Sequence, residues 1–199
     1  MTRKAKRISS VMAIVAVLPI IAGCIVINGN FHALAGGEVY RSGQLNPTML
    51  EWRVKQHTIR TVVSLRKPNP DEEWYQSEMA LCKKLGVEHF DLSWSKNHLP
   101  KPASLAELIR IYDEGPKPML VHCQGGTHRS GVASAVFVLL DGGTVEDARE
   151  QFGMFFNDAP IGRLIDLYEE TGGPFRDWAR DIYPGVYGRE TGRSAEPAK

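Results

Sequence analysis

The chain has 199 residues, of which 43% are apolar and 24% are charged, so it can bury one ordinary core and is expected to form a single domain. Its formal net charge of +1 hides an asymmetry, because residues 1–23 carry four basic groups and no acidic one, while the rest of the chain is mildly acidic. An acidic body argues against nucleic-acid binding as the main activity, and three cysteines are too few for a disulfide scaffold.

Residues 1–29 predict a segment that targets the chain to a membrane. The basic stretch Arg3–Arg7 precedes the almost wholly apolar run Ile8–Ile27, which is about long enough to span the ~30 Å hydrocarbon core of a bilayer. The stretch Ile21–Cys24 resembles a bacterial lipobox, in which cleavage before the cysteine leaves Cys24 to carry lipid. We expect an uncleaved span, which we favour, or a lipoprotein. Either form keeps the basic residues in the cytoplasm and places the domain in the periplasm or outside the cell.

Strands alternate with helices in the part of the chain that follows, and we place one domain at 30–185. Asn46 and Pro47 form a typical helix start, and Gly86 is a typical helix stop. The polar tail, 186–199, is predicted to be disordered. The pattern predicts strands at 38–42, 59–65, 87–94 and 119–121, and helices at 47–57, 71–85, 104–113 and 132–140, from Thr144, and near 161–170 and 175–182.

This alternation predicts an α/β fold with a central, largely parallel sheet flanked by helices. Ligands of such sheets bind beyond the carboxyl ends of the strands. The loop with Cys123 and the loop that begins at Arg66 both follow strand ends, so we expect them to meet at one edge of the sheet. Arg66 is interpreted either as an attractor for an anionic substrate or as an ordinary surface charge, and the same two interpretations apply to Arg41.

The stretch Met119–Gly131 carries the strongest functional signal. A buried strand, a loop with Cys123 and two glycines, and an apolar helix follow one another there. In a strand–loop–helix arrangement of this kind, the backbone N–H groups of the loop and the N-terminus of the helix converge on one position. At that position a thiol is stabilised as thiolate, and an oxyanion can bind. Arg129 offers a planar charged fork for two phosphate oxygens, and Ser130 offers a hydrogen bond to the sulfur. Attack of the thiolate on a phosphate ester would give a phosphocysteine that water hydrolyses.

The sequence of His122–Gly131, HCQGGTHRSG, resembles the HCxxGxxR[ST]G signature of protein tyrosine and dual-specificity phosphatases, and its His-Arg pair is similar to the atypical plant-and-fungal-type subgroup. Residues 38–44 and 63–66 resemble the opening strands of bacterial members, some of which have N-terminal anchors. The resemblance covers roughly residues 30–180 and implies a cysteine nucleophile, a phosphate-binding arginine, no metal or other cofactor, and hydrolysis of a phosphomonoester. It implies catalytic roles for Cys123 and Arg129 and substrate contacts from Gln124, Gly125, Gly126, Thr127, His128 and Ser130.

The general acid is the open point of this resemblance. The family supplies a proton to the leaving oxygen from an aspartate on a loop upstream of the cysteine. Asp91 lies 32 residues before Cys123, which suits the family, but matching the strands places the usual acid at 94–96, where no carboxylate stands. Asp91 is therefore interpreted either as the acid or as a structural strand residue, depending on its register. His98 is a further candidate, with a solvated loop histidine as the ordinary alternative.

Three functions compete for this sequence. The leading hypothesis is a phosphatase for phosphotyrosine, phosphoserine or phosphothreonine in proteins, or for small phosphate esters. The absence of lysine from Gln124–His128 argues mildly against highly anionic inositol phosphates. A non-catalytic phosphate-binding module would keep the same loop but lack the acid, whereas His122 and Ser130 argue against rhodanese-like sulfur transfer. No histidine spacing such as HExxH predicts a metal site, and the sequence gives no prediction of oligomeric state.

Overall fold

The computed structural model describes residues 29–192 of the chain. The predicted anchor, including Cys24, lies outside this range, as do residues 193–199. Within residues 29–192, no helix is both long enough and apolar enough to cross a bilayer. The membrane anchor therefore stays a prediction from the sequence.

A five-stranded sheet forms the centre of the domain. Its spatial order is β1-β2-β5-β3-β4, in which β1 and β2 are antiparallel and every other pair of neighbours is parallel. The predicted α/β fold with a largely parallel sheet is confirmed. The strands are β1 (His32–Ala33), β2 (Val39–Ser42), β3 (Thr61–Ser64), β4 (Glu88–Asp91) and β5 (Met119–His122).

Helices cover both faces of this sheet. Alternating strand residues divide between two cores: Val62 and Leu120 pack with α1 and α2, whereas Val63 and Val121 pack with α4. In the described part of the chain the α-helices are α1 (Pro47–His57), α2 (Glu73–Leu85), α3 (Pro102–Glu114), α4 (His128–Leu140), α5 (Val145–Arg149), α6 (Arg163–Glu169), α7 (Phe175–Asp177) and α8 (Tyr183–Thr191). Short 3-10 turns occur at Ala35–Gly37 and Pro160–Gly162, and a π turn occurs at Trp178–Ile182.

The parallel strands end in one row across the sheet. Ser42 and Ser64 both lie opposite His122 in the neighbouring strands, and Asp91 lies opposite Ser64. The segments that follow these residues therefore leave the sheet at the same edge. Cys123 is one residue beyond this row, so it lies where the other loops begin, as the sequence predicts.

Local signals account for several helix ends. The Asn46 side chain accepts a hydrogen bond from the backbone N–H of Met49 at 2.9 Å and caps α1. Gly86 ends α2 in the left-handed region with a φ of 67°. Thr144 and Asp147 form a reciprocal capping box at the start of α5. These three predictions are confirmed.

Two predicted boundaries near the Cys123 edge are wrong. Helix α4 begins at His128 rather than at residue 132, because the N–H of Gly131 already donates to the carbonyl of Thr127 at 3.0 Å. Strand β4 ends at Asp91 rather than at residue 94, because Ser93 turns the chain with a φ of 53°. The arginine of the loop motif therefore lies in the first turn of α4.

The two ends of the described domain also differ from the prediction. The first predicted strand begins at residue 38, but the stretch before it already contributes the short strand β1. The predicted disordered tail begins too early, because α8 continues to Thr191 and buries Val186 and Tyr187 against the core. Burial of these two apolar side chains stabilises a helix that the polar composition of the tail conceals.

Candidate active site

The loop between β5 and α4 holds the predicted nucleophile. Cys123 is buried, with 2% of its surface exposed, and its N–H donates to the carbonyl of Ser42 at 3.3 Å. Its Sγ lies 3.5 Å from the Oγ of Ser130 in the first turn of α4. The structure therefore brings together the thiol and the hydroxyl that the sequence predicts to stabilise it.

Gly126 is required by the shape of this loop. It has a φ of +70°, and a Cβ at this position would lie 2.5 Å from the backbone N of Gly43. Gly43 is equally close-packed, since a Cβ there would lie 3.0 Å from the carbonyl oxygen of Gln124. At Gly125, by contrast, a Cβ would meet no atom within 4 Å. The backbone of the loop is thus pressed against the chain that follows β2, and only glycine fits at position 126.

The surroundings of Cys123 favour its thiolate form. Burial alone would raise the pKa of the thiol. Hydrogen bonds from the hydroxyl and backbone N–H of Ser130, the charge of Arg129 and the N–H of Gly126 outweigh this effect and lower the pKa below its ordinary value. These groups are the N–H cradle and helix N-terminus predicted from the sequence.

Arg129 is held at the edge of the sheet by two carbonyl groups. Its Nη1 donates to the carbonyl of Leu65 at 3.3 Å and to that of Trp94 at 3.4 Å. These carbonyls follow β3 and β4, so one guanidinium joins the three loops at this edge. Its charge acts on the Cys123 thiol, which places both predicted catalytic residues in one site.

The remaining loop residues make mainly structural contacts in this structure. The carbonyl of Gln124 accepts a hydrogen bond from the N–H of Gln44 at 3.0 Å, and the hydroxyl of Thr127 donates to the carbonyl of Gly125 at 3.4 Å. The half-buried His128 ring packs against Phe156, with 5.6 Å between the ring centroids. Burial, followed by the charge of Lys96, lowers the pKa of His128. Their predicted contacts with substrate stay predictions.

Arg41 supports the loop from behind, although the sequence left a surface charge as one of its two interpretations. It is buried, with 3% of its surface exposed; its Nη2 donates to the carbonyl of Gly126 at 3.1 Å and its Nη1 to that of Gln151 at 2.6 Å. Asn30 donates to the same Gly126 carbonyl at 2.8 Å. Burial lowers the pKa of Arg41 to about 10, so it stays charged near neutral pH. The surface interpretation of Arg41 is therefore wrong.

Arg66 lies beside the site, as the sequence predicts. Its guanidinium stacks on Trp74, 3.4 Å from the ring centroid, and donates to the Oε1 of Gln44 at 2.9 Å. Burial, together with the charge of Arg129, lowers the pKa of Arg66. The two loops therefore meet closely enough for their arginines to repel each other, which adds positive potential for an anion.

A buried carboxylate that the sequence analysis missed lies beneath the loop. Glu78 accepts hydrogen bonds from Gln44 at 2.6 Å, from the Nε2 of His89 at 3.0 Å and from the Nε2 of His122 at 3.1 Å. Burial alone would raise the pKa of Glu78, but His122 and the hydrogen bonds hold it well below its ordinary range. The available signal was a charged residue on the buried face of α2, three and four positions before Leu81 and Cys82.

This cluster also offers a possible set of metal ligands. One donor atom each from Glu78, His89 and His122 lies within 4.8 Å of the others. The three residues come from α2, β4 and β5, so no short sequence spacing could reveal them. Hydrogen bonds between the carboxylate and both imidazoles account for the arrangement without an ion.

Asp91 lies in β4 rather than on a loop. Its carboxylate accepts a hydrogen bond from the hydroxyl of Tyr75 at 2.7 Å and is 3.9 Å from the Nδ1 of His89. The hydrogen bond to Asp91 raises the pKa of Tyr75 to about 12. The stretch 94–96 borders Arg129 through its first carbonyl but contains no carboxylate. A catalytic role for Asp91 stays a prediction.

His98, the other candidate acid, lines a different cavity. This cavity has a volume of about 320 Å³, and its lining includes Tyr187 and Glu190 of α8. The lining of this cavity includes residues of α8 and no residue of the Cys123 loop. The structure therefore gives His98 no contact with the predicted nucleophile among the described residues.

A protein-family model matches the region of the chain that contains this loop. The family model described as "DSP-PTPase phosphatase fused to NAD+ Kinase" matches residues 28–158, which is more than half of the chain and includes the whole Cys123 loop. The chain belongs to this family. The resemblance to cysteine-dependent phosphatases of the dual-specificity and tyrosine type is thereby confirmed at the level of the family.

Solved structures show the same fold at low sequence identity. The core catalytic domain of the PP-IP phosphatase SIW14 from S. cerevisiae is 20% identical with a TM-score of 0.58, over 71% of this chain and 86% of that one. TpbA from P. aeruginosa is 21% identical with a TM-score of 0.54, over 73% and 85%. A DUF442 protein from Shewanella putrefaciens is 17% identical with a TM-score of 0.56, over 71% and 88%. A search of curated proteins found no match.

Proposed function

We propose that this protein hydrolyses phosphomonoesters through a phosphocysteine intermediate. The observation that carries the proposal is the Cys123 thiol, whose pKa is lowered, despite its burial, by the hydrogen bonds of Ser130 and the charge of Arg129. A thiolate next to a guanidinium and several converging N–H groups suits attack on a phosphate dianion.

The reaction has two steps. In the first, the thiolate of Cys123 attacks phosphorus, an S–P bond forms, and the P–O bond to the leaving group breaks. Arg129 and the N–H groups of the loop stabilise the charge on the phosphoryl oxygens, and a general acid, for which Asp91 is our candidate, protonates the leaving oxygen. In the second step, the base left by that acid takes a proton from water, and the water oxygen attacks phosphorus. The S–P bond breaks, inorganic phosphate leaves, and the Cys123 thiolate is regenerated with a hydrogen bond from Ser130.

The proposed substrates are phosphotyrosine, phosphoserine or phosphothreonine in proteins, or small phosphate esters. Although the yeast SIW14 structure is described as that of a PP-IP phosphatase, Gln124–His128 of this chain contains no lysine for a highly anionic inositol phosphate. We also propose that the protein is a bacterial, membrane-anchored family member whose domain lies outside the cytoplasm. Lipid labelling of Cys24 that globomycin blocks would identify a lipoprotein, and its absence would favour an uncleaved span.

A non-catalytic phosphate-binding module is the second candidate. It is favoured by the contacts of Asp91, which accepts a hydrogen bond from Tyr75 within β4, and by the absence of a carboxylate from 94–96. Such a module would bind phosphate at Arg129 but would turn over slowly, because the leaving oxygen would lack a proton donor.

Hydrolysis of para-nitrophenyl phosphate by the full chain in detergent tests the proposal. We expect Cys123→Ser to abolish turnover, whereas Cys82→Ser, at an equally buried cysteine in α2, keeps it. Mass spectrometry of the acid-quenched wild type should show one phosphoryl group on the peptide that contains Cys123. Phosphate binding without turnover in the wild type would favour the non-catalytic module, and full turnover in Cys123→Ser would exclude the proposed nucleophile.

The assignment of Asp91 needs a separate comparison. If Asp91 is the acid, Asp91→Asn lowers kcat by about 10²- to 10⁴-fold, with the larger loss for substrates that have poor leaving groups. Tyr75→Phe removes the partner of Asp91 but leaves its carboxylate, so it serves as the matched control. Equal, small losses in both variants would assign Asp91 a structural role in β4.

A further inference from the structure

Two large apolar side chains, those of Met154 and Phe155, are exposed to solvent on the loop Phe152–Asp158. We call this loop the rim segment. Met154 is 84% exposed and Phe155 is 50% exposed. At the base of the loop, the rings of Phe152 and Phe156 stack with 4.0 Å between their centroids. This stack closes the loop, so that Met154 and Phe155 form its tip.

The rim segment is fixed to the catalytic loop. The Phe156 ring packs on His128, with 5.6 Å between the centroids, and Phe156 itself is buried. The guanidinium of Arg41 binds the carbonyls of both Gln151 and Gly126. The apolar tip, three residues beyond Gln151, therefore lies beside the mouth of the phosphate site.

The chain enters the domain at the same place. Asn30 donates to the carbonyl of Gly126, and the carbonyl of Gly29 accepts a hydrogen bond from the N–H of Gly43 at 2.7 Å. The apolar run of the sequence ends at Ile27, and the two residues from there to Gly29 reach at most about 7 Å. From a lipid-bearing Cys24 the reach to Gly29 is at most about 18 Å. Either form of the anchor thus holds the catalytic loop close to the bilayer surface.

We propose that the rim segment rests on that bilayer, with Met154 and Phe155 inserted among the lipid head groups. This inference rests on the membrane attachment proposed above. A lipid surface is the occupant that fits, because the tip is apolar and joins no described core cluster. The tip also follows Gln151, which Arg41 connects to the same Gly126 carbonyl that binds Asn30 at the start of the domain. The catalytic loop would then face the head-group layer, and its substrates would be phosphomonoesters carried in the same membrane.

Fluorescence quenching of the full chain, reconstituted into vesicles of brominated phosphatidylcholine, tests the contact directly. We expect the additional tryptophan emission of Met154→Trp to be quenched by bromine near the head of the acyl chain. Met79→Trp is the matched control, because Met79 is 38% exposed in the middle of α2, on the opposite face of the sheet from α4. Equal quenching in both variants, or none in Met154→Trp, would overturn the inference. The measurement needs no turnover, so it is independent of the proposed phosphatase activity.

Kinetics in the same vesicles provides a second test. The double substitution Met154→Ser with Phe155→Ser should slow hydrolysis of phosphatidic acid by about tenfold, since it removes the apolar contact with the bilayer. Hydrolysis of para-nitrophenyl phosphate should change less than about twofold, since no group that touches phosphate is altered. Equal ratios of the two rates in the wild type and the double variant would contradict the inference. If the wild type hydrolyses neither phosphatidic acid nor para-nitrophenyl phosphate, the proposed function is contradicted. The quenching experiment would still decide whether the rim segment contacts lipid.

Discussion

Cys82 and Cys123 are both buried, with 3% and 2% of their surfaces exposed. Their surroundings nevertheless shift the pKa values of the two thiols in opposite directions. Burial and the negative charge of Glu78 raise the pKa of Cys82 to about 12. At Cys123 the effect of burial is outweighed by the hydrogen bonds of Ser130 and the charge of Arg129, which lower the pKa. Hydrogen-bond donors and positive charge, rather than exposure, separate the thiol with the lowered pKa from the thiol with the raised pKa in this fold.

The positions of the two cysteines in the fold explain the difference. Cys82 lies within α2, where the backbone N–H groups are used by the helix itself and the surrounding cluster is apolar apart from Glu78. Cys123 follows the last residue of β5, where the chain leaves the sheet and Gly126 can turn its N–H toward the sulfur. The edge of a parallel sheet thus supplies unpaired donors that the interior of a helix does not.

The largest effect is expected when the planar guanidinium of Arg129 is removed from the surroundings of Cys123. Arg129→Lys should lower kcat/KM for para-nitrophenyl phosphate by about 10³-fold, because an ammonium cannot bind two phosphoryl oxygens in the same plane. Arg163→Lys, at a partly exposed arginine of α6, is the control and should leave the rate unchanged. A loss below about tenfold in Arg129→Lys would show that a single positive charge, without the planar fork, is enough to bind the phosphoryl group.

The second prediction removes the turn that aims the N–H groups. Gly126→Ala should lower the free energy of unfolding by about 3 kcal/mol, from the positive φ together with the clash against Gly43. Gly125→Ala, where a Cβ meets no atom within 4 Å, should cost less than about 1 kcal/mol. Urea unfolding of both variants measures the difference, and equal costs would mean that the loop can relax around the added methyl group.

Glu78 affects the surroundings of both cysteines. It raises the pKa of Cys82, and it accepts a hydrogen bond from His122, the residue before Cys123. Its own pKa is depressed in the folded state, so its contribution to stability is present above the unfolded value of about 4.3 and is lost as the pH falls below it. Glu78→Gln should therefore flatten the loss of unfolding free energy on acidification. Glu88→Gln, at an exposed site, should keep the wild-type pH profile. Identical profiles for both variants would remove Glu78 as the source.

The smallest effect concerns a single hydrogen bond. Ser130→Ala removes a donor to the Cys123 sulfur, so the pKa of the thiol rises and alkylation by iodoacetamide needs a higher pH. Ser134→Ala is the control, because the hydroxyl of Ser134 donates to the carbonyl of Ser130 at 2.7 Å rather than to the sulfur. In both variants Cys82 should stay unmodified while the protein is folded. An unchanged midpoint in Ser130→Ala would leave Arg129 and the backbone as the main stabilising groups.

The Cys123 loop could be predicted from the sequence because its chemistry is local. Strand, loop and helix lie within Met119–Gly131, and each residue type has its own physical reason to be there. The support around the loop is not local: Asn30 reaches Gly126 across 96 residues, and Arg41 reaches Gln151 across 110. Which distant residues meet depends on the strand order, and a single sequence does not determine that order.

The prediction that β4 continues to residue 94 is wrong for a different reason. The apolar and aromatic residues of 87–94 suit a strand throughout. Ser93, however, adopts a left-handed conformation, which a serine in the sequence does not predict. Asp91 is therefore the last strand residue, and its carboxylate meets Tyr75 of α2. Helix α2 could be predicted, but its placement over this strand could not, so the environment of Asp91 followed only from the structure.

The guanidinium of Arg41 has a consequence for thermodynamic linkage. It donates to the carbonyl of Gly126 in the Cys123 loop and to that of Gln151, the residue before the rim segment, so one buried group holds the Cys123 loop and the start of the rim segment. An anion that immobilises Gly126 and a surface that immobilises the rim segment then act on a common equilibrium, and reciprocity requires each to strengthen the binding of the other by the same factor. Arg41 would in this way couple the binding of an anion at Cys123 to the proposed contact of the rim segment with a bilayer.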